Sequence, residues 1–227
     1  MNRVMDLTAQ LVARVQRIEA DEGPRPERQQ MADDDYRQYT EQLLMELGDA
    51  PLRVFAYGSL MWKPEFEVIS QSRATLEGWH RSFCMKIERW RGTRARPGLM
   101  MALDEGGTCD GIVYELPHDN YPAQLERLLV REMTNKPPTN VPMFLKVATG
   151  SQDINALAFT VSQTSFAYQA ALPLPEVAGI LAHAAGHWGS GAEYLFNTVT
   201  HLQQLGIQDD NLWELQERVA AEITAMP

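Results

Sequence analysis

Cysteine is nearly absent: Cys84 and Cys109 are the only two in 227 residues. Two thiols make no disulfide framework, so the chain is expected in a reducing, cytoplasmic compartment. Long apolar runs are missing too. None approaches the roughly 18 residues of a membrane span, and Met1–Ala20 carries polar residues throughout instead of the apolar block of a signal peptide. An excess of positive charge is also lacking. Twenty Lys and Arg face thirty Asp and Glu, a formal net charge of -10. Such a field repels nucleic acid and anionic membranes unless a basic patch is segregated, so neither is expected as a partner. No internal repeat or low-complexity tract is visible. His183 and His187 have the i, i+4 spacing of zinc ligands but lack the metalloprotease Glu and a third ligand, and Gly186 weakens the helix between them. Ser59 and the five histidines form no nucleophile-elbow pattern.

What is present describes an ordinary globular chain. Apolar residues make up 44%, and the length suffices for one sizeable core but is short for two full domains. Val4, Leu7, Leu11, Val12, Val15 and Ile18 recur at helical spacing, which predicts a helix through residues 1–22. Gly23-Pro24-Arg25-Pro26 breaks it. Asp33-Asp34-Asp35 suits the positive end of a second helix that stops near Gly48. These two helices are expected to form an N-terminal extension, residues 1–50, packed on a main domain, residues 51–227. Short strands are expected at 54–57, 82–87, 98–103 and 111–116, separated by glycine-containing breaks. A helix over 121–133, strands at 143–148 and 156–161, and helices at 176–185, 192–205 and 212–223 follow. Several short strands with long loops suggest a small, strongly curved sheet or barrel.

Three features bear on chemistry. An apolar strand runs straight into Tyr57-Gly58-Ser59-Leu60. Glycine permits a positive φ and a close approach of backbone to ligand, and consecutive N–H groups in such a turn attract an anion. The plain alternative is a strand-ending turn. Glu132 follows Leu128-Leu129-Val130-Arg131 near a helix C-terminus, where the macrodipole disfavours a carboxylate. Desolvation there would raise its proton affinity and make it a general base near neutrality. The plain alternative is a surface Glu paired with Arg131 or Arg127. Arg81, Lys86, Arg89, Arg91, Arg94 and Arg96 cluster with Trp79 and Trp90. This patch suits a carboxylate-bearing small molecule better than nucleic acid, and a solvated strand face is the ordinary reading.

Taken together and in order, these pieces resemble the ChaC-type γ-glutamylcyclotransferases, which act on glutathione. The matching segments are Val54-Phe55-Ala56-Tyr57-Gly58-Ser59-Leu60-Met61-Trp62 with Pro64, Arg91-Gly92-Thr93 with Pro97-Gly98, Gly111-Ile112-Val113-Tyr114-Glu115-Leu116, Arg131-Glu132-Met133, Gly189-Ser190-Gly191-Ala192-Glu193-Tyr194-Leu195, and Leu205-Gly206-Ile207-Gln208-Asp209-Asp210-Asn211-Leu212. The resemblance implies an α+β fold with a mixed, six-stranded β-barrel-like core flanked by helices. It implies a Tyr57-Gly58-Ser59-Leu60 loop that holds a γ-glutamyl group, a catalytic carboxylate at Glu132, and Tyr194 at the substrate site. The implied reaction is attack by the substrate α-amine on its own γ-amide carbonyl, giving 5-oxoproline. With glutathione the leaving piece is Cys-Gly, and neither metal nor cofactor is required. After Glu132 the chain reads Thr134-Asn135-Lys136-Pro137-Pro138-Thr139-Asn140 where many members carry Gly-Gly-Tyr or Gly-Cys-Tyr. The leaving-group side of the pocket is therefore expected to differ. Glutathione, another γ-glutamyl amine, and binding without turnover are the three readings this leaves.

Overall fold

The computed structural model describes residues 3–150, 152–170 and 172–227. The chain divides into two compact units. One comprises residues 1–24, 83–101 and 167–227; the other comprises 25–82 and 102–166.

The second unit holds most of a closed barrel. Helix α2 (Asp33–Leu47) begins with three carboxylates and ends at Gly48, whose φ of 58° stops it. Strand β1 (Arg53–Ala56) is short, and Val54, Phe55 and Ala56 are fully buried. It pairs antiparallel with β3 (Gly98–Glu115), Val54 opposite Tyr114, and parallel with β5 (Asp153–Val161), Val54 opposite Leu157. Strand β2 (Ser70–Ile87) meets β4 (Asn140–Thr149) at Ala74–Thr149, and β4 and β5 form a hairpin from Asn140–Val161 to Ala148–Asp153. The β1–β5 pairing closes the strand order β1-β3-β2-β4-β5 on itself, and a parallel contact of Leu103 with Thr160 additionally joins β3 to β5. Helix α3 (Tyr121–Glu132) packs against α2, burying Leu125, Leu128 and Leu129.

The barrel has five strands where six were expected. The segments read as strands at 98–103 and 111–116 are two parts of the single strand β3. Gly106 and Gly107, which looked like a break, take φ of 95° and 70° inside the strand, where only glycine turns left-handed without strain. Strand β2 starts twelve residues before its expected beginning. Its first four residues, Ser70–Arg73, are exposed, so no apolar alternation marks them. Gly111 has a different constraint. A Cβ there would sit 2.6 Å from the Ala56 carbonyl oxygen and 2.6 Å from Phe55 Cζ. Overpacking of this kind costs about 1–3 kcal/mol. Gly111→Ala should therefore lower the unfolding free energy by about 3 kcal/mol, read as a lower urea midpoint at unchanged slope. An unchanged midpoint would mean that the β1–β3 pairing yields easily.

The first unit is mostly helical. Helices α1 (Ala9–Val15), α4 (Leu174–His183), α5 (Gly191–Gln204) and α6 (Asp210–Ala225) pack around Leu181, Leu195, Leu215, Val219 and Ile223. A two-residue hairpin, β6 (Ala185–Gly186) with β7 (Gly189–Ser190), precedes α5. The helix expected through residues 1–22 is only seven residues long. Val4 and Ile18 are 88% and 80% exposed, so the ends of that apolar stripe bury nothing. Beyond Val15 the polar groups find other partners. Gln16 Oε1 accepts from Ser190 Oγ at 3.0 Å, and Arg17 Nη2 donates to the His183 carbonyl at 2.6 Å.

Four arginines of the cluster, Arg81, Arg89, Arg91 and Arg94, are bonded within the protein. In the first unit Arg89 donates through Nε and Nη2 to the two oxygens of Asp21, at 2.7 and 2.6 Å. Arg91 meets Glu193 at 2.6 Å and the Ser190 carbonyl at 2.9 Å. Arg94 takes the Glu22 carboxylate through its backbone N–H. In the second unit Arg81 is buried against the carbonyls of Tyr57 and Asp110. These four guanidiniums serve as internal links, a use that neither the substrate-steering reading nor the solvated-face reading of the patch included. Cys84 and Cys109 are reduced and buried. Among the described residues no helix is long and apolar enough to cross a membrane.

Candidate active site

The turn after β1 is a single 3-10 turn, Ser59–Met61. Its first internal bonds run from the N–H groups of Met61 and Trp62 to the carbonyls of Gly58 and Ser59, at 2.9 and 3.2 Å. The N–H groups of Gly58, Ser59 and Leu60 come before any bond the turn makes, as at the start of every helix. Gly58 has φ of -138° and ψ of -127°. The positive φ expected there is not found, so freedom for a left-handed turn is not what this glycine supplies. Leu60 is buried. Tyr57 is buried too; its hydroxyl donates to the Phe159 carbonyl at 2.9 Å and its carbonyl accepts from Arg81 Nε at 2.7 Å. Its phenol therefore anchors the turn to β5.

Glu132 is the last residue of α3, and its side chain is 16% exposed. Desolvation raises its proton affinity above that of an ordinary glutamate; Arg131 opposes the rise and Glu65 adds to it. A carboxyl in that state exchanges protons closer to neutrality. Arg131 is equally buried, and its Nε lies 3.1 Å from Glu132 Oε1. The same guanidinium donates through Nη2 to Ser59 Oγ at 3.0 Å and through Nη1 to the Lys63 carbonyl. Nη1 also lies 3.4 Å from Glu65 Oε2. One largely shielded cation thus ties the turn to the carboxylate. Glu65 has a φ of 58°, uncommon for a residue other than glycine. Its own carboxylate is held below the usual range by Lys63, which lies 3.0 Å away, and by Arg131.

The backbone around Glu132 is fixed from two sides. Asn140 Nδ2 donates to the Glu132 carbonyl at 3.0 Å. The Tyr36 hydroxyl, on α2, donates to the Met133 carbonyl at 2.7 Å. Both are carbonyls that a helix end leaves without partners of its own.

Tyr57, Gly58, Ser59, Leu60 and Glu132 all belong to the second unit. Tyr194 belongs to the first, on α5, and is 3% exposed. There its ring meets Phe83 edge-on at 6.0 Å, and the Arg91 guanidinium carbon lies 5.5 Å from the ring centre. His183 ends α4 with Nδ1 2.8 Å from the Gly179 carbonyl. His187 follows in the β6–β7 turn, its Nδ1 3.6 Å from Asp21 Oδ1, so the i, i+4 spacing does not fall on one helix.

The sequence set Arg131 apart from Arg127 only as part of the matching segment Arg131-Glu132-Met133, and its link to Ser59 was not legible there. Adjacent residues on a helix do not face each other, and the pair forms here at the helix end. Tyr36 and Asn140 were invisible for a simpler reason: they are 97 and 8 residues away in the chain from the carbonyls they hold.

A partly desolvated, proton-avid carboxylate beside a turn of leading N–H groups is a group set for moving a proton next to a bound anion. The ChaC-like protein family matches residues 52–222, and the chain belongs to that family. The glutathione-specific gamma-glutamylcyclotransferase of Escherichia coli K12 is 36% identical over 168 residues, covering 74% of this chain and 72% of the relative. The human glutathione-specific gamma-glutamylcyclotransferase 1 is 27% identical over 173 residues, covering 74% and 78%. Among solved structures, a yeast gamma-glutamylcyclotransferase specific to glutathione superposes with a TM-score of 0.68 at 20% identity, covering 75% of this chain and 96% of that one. That likeness is one of fold.

Proposed function

We propose that this chain is a γ-glutamylcyclotransferase that converts glutathione to 5-oxoproline and Cys-Gly, with Glu132 as general acid and base. The observation that carries the reading is the Ser59–Arg131–Glu132 link, set in a chain whose relatives are named for this activity. The nucleophile is tethered to its target, and such alignment supplies roughly 7–11 kcal/mol of the barrier. What remains is proton traffic. The substrate α-ammonium must lose a proton before its nitrogen can attack, and a carboxyl with raised proton affinity is matched to that transfer. Glu132 takes that proton. The amine nitrogen attacks the γ-carbonyl carbon, the carbonyl electrons move to oxygen, and N–H groups at Gly58–Leu60 face the developing charge. The C–N bond to the departing amine then breaks. The ring nitrogen gives up two protons in all and the departing nitrogen gains two, so a single carboxyl that takes and returns protons balances the reaction.

The test uses the full chain with glutathione and γ-glutamyl-alanine, measuring 5-oxoproline release. Equimolar 5-oxoproline and Cys-Gly from glutathione, at a higher kcat/KM than from γ-glutamyl-alanine, is the expected result. The reverse ranking would assign the fold to other γ-glutamyl amines. Saturable binding with no release would make it a binding module.

A further inference from the structure

The family match begins at residue 52, yet a segment well before it is bonded to the chain around Glu132. Met133 to Lys136 runs antiparallel to Gln29–Met31, with Gln30 opposite Asn135. The Met31 N–H donates to the Thr134 carbonyl at 3.1 Å, and the Lys136 N–H donates to the Gln29 carbonyl at 2.8 Å. Gln30 Nε2 donates to Asn135 Oδ1 at 2.8 Å. Lys136 Nζ pairs with Asp35, whose other oxygen caps the start of α2 through the Ala32 N–H. Tyr36 adds its hydroxyl bond to the Met133 carbonyl, and it is 9% exposed. Five contacts from eight residues are thus spent on the four that follow Glu132.

Their placement has a consequence for the carboxylate. Glu132 sits at the last helical position of α3, where intrahelical bonding ends and the backbone frays most easily. On its N-terminal side Arg131 fixes it to the turn. On its C-terminal side Asn140 and the Gln29–Tyr36 segment hold it. A general base must be held within hydrogen-bond reach of the proton it takes, and small displacements cost large factors in rate.

We propose that Tyr36, with the Gln29–Asp35 segment before it, is a positioning element for Glu132: the part of the chain outside the family match completes the active site. The proposal rests on Glu132 being the base. The test compares the parent with Tyr36→Phe, which removes one hydroxyl, and with Asp35→Asn, which keeps an oxygen for the Ala32 cap and weakens only the ion pair to Lys136. Each is assayed for kcat and KM on glutathione, melting temperature, and hydrogen exchange at the Lys136 amide. The expected result for Tyr36→Phe is a kcat about tenfold lower with KM unchanged, and faster exchange at Lys136; Asp35→Asn follows in the same direction with a smaller factor. A lower melting temperature with kcat intact in both variants would reduce the segment to a structural brace and overturn the proposal. A parent that releases no 5-oxoproline from any γ-glutamyl substrate would overturn the functional reading and this one with it. A parent that turns over while both variants match it overturns this one alone.

Discussion

Glu132→Gln should remove nearly all release of 5-oxoproline while leaving the fold intact. Losing a positioned general base typically costs a factor of about 10²–10⁴. The amide keeps the shape of the side chain and an oxygen for Arg131 Nε, now 3.1 Å from the carboxylate, so the turn stays tethered. The stability effect has a definite sign. Burial raises the proton affinity of Glu132 in the folded chain, so the folded state binds its proton more tightly than the unfolded one. That contribution is complete below the unfolded pKa and is lost as pH rises through the folded value. The glutamine variant escapes that loss. Its melting temperature relative to the parent should therefore climb between acid and neutral pH. A variant keeping more than half the parent's kcat, or a melting difference running the other way with pH, would count against the assignment of Glu132.

The second large effect belongs to Arg131. Arg131→Gln takes away the cation that opposes the desolvation of Glu132, while Glu65 remains. The carboxylate should then hold its proton to still higher pH, and the acid limb of kcat/KM should move upward. At neutral pH the rate should fall about ten- to a hundredfold, in keeping with the 1.5–3 kcal/mol of hydrogen bonds to charged groups. Raising the pH should restore part of it. The part that does not return reports the lost tether to Ser59 Oγ and the Lys63 carbonyl. Kinetics from pH 5 to 9 settle the matter: an acid limb that stays in place, or moves down, would mean that Arg131 does not tune this carboxyl.

The sequence by itself determined where helices α2 and α3 and strand β1 lie, and the two segments that carry the candidate site. Helix α2 begins at the three aspartates and ends at Gly48, as read, because dipole and cap effects act within a turn of the chain. Helix α3 and the apolar strand before Tyr57-Gly58 were legible for the same reason: periodicity and burial of short apolar runs are local signals. The merging of two expected strands into β3 was not legible. Gly106-Gly107 is a sequence break in most settings, and only pairing on both sides keeps it in a strand. The shortness of α1 came from the failure of Val4 and Ile18 to find anything to cover, which spacing does not reveal. Tertiary structure also decided the use of the charges. The arginines from 81 to 94 looked like a surface patch, but their carboxylate and carbonyl partners lie far away in the chain. The link from Ser59 through Arg131 to Glu132, and the hold of Tyr36 on Met133, join residues 72 and 97 positions apart. Identity at each position makes such bonds available; the folded chain selects among the many equivalent donors by bringing one of them within 3 Å.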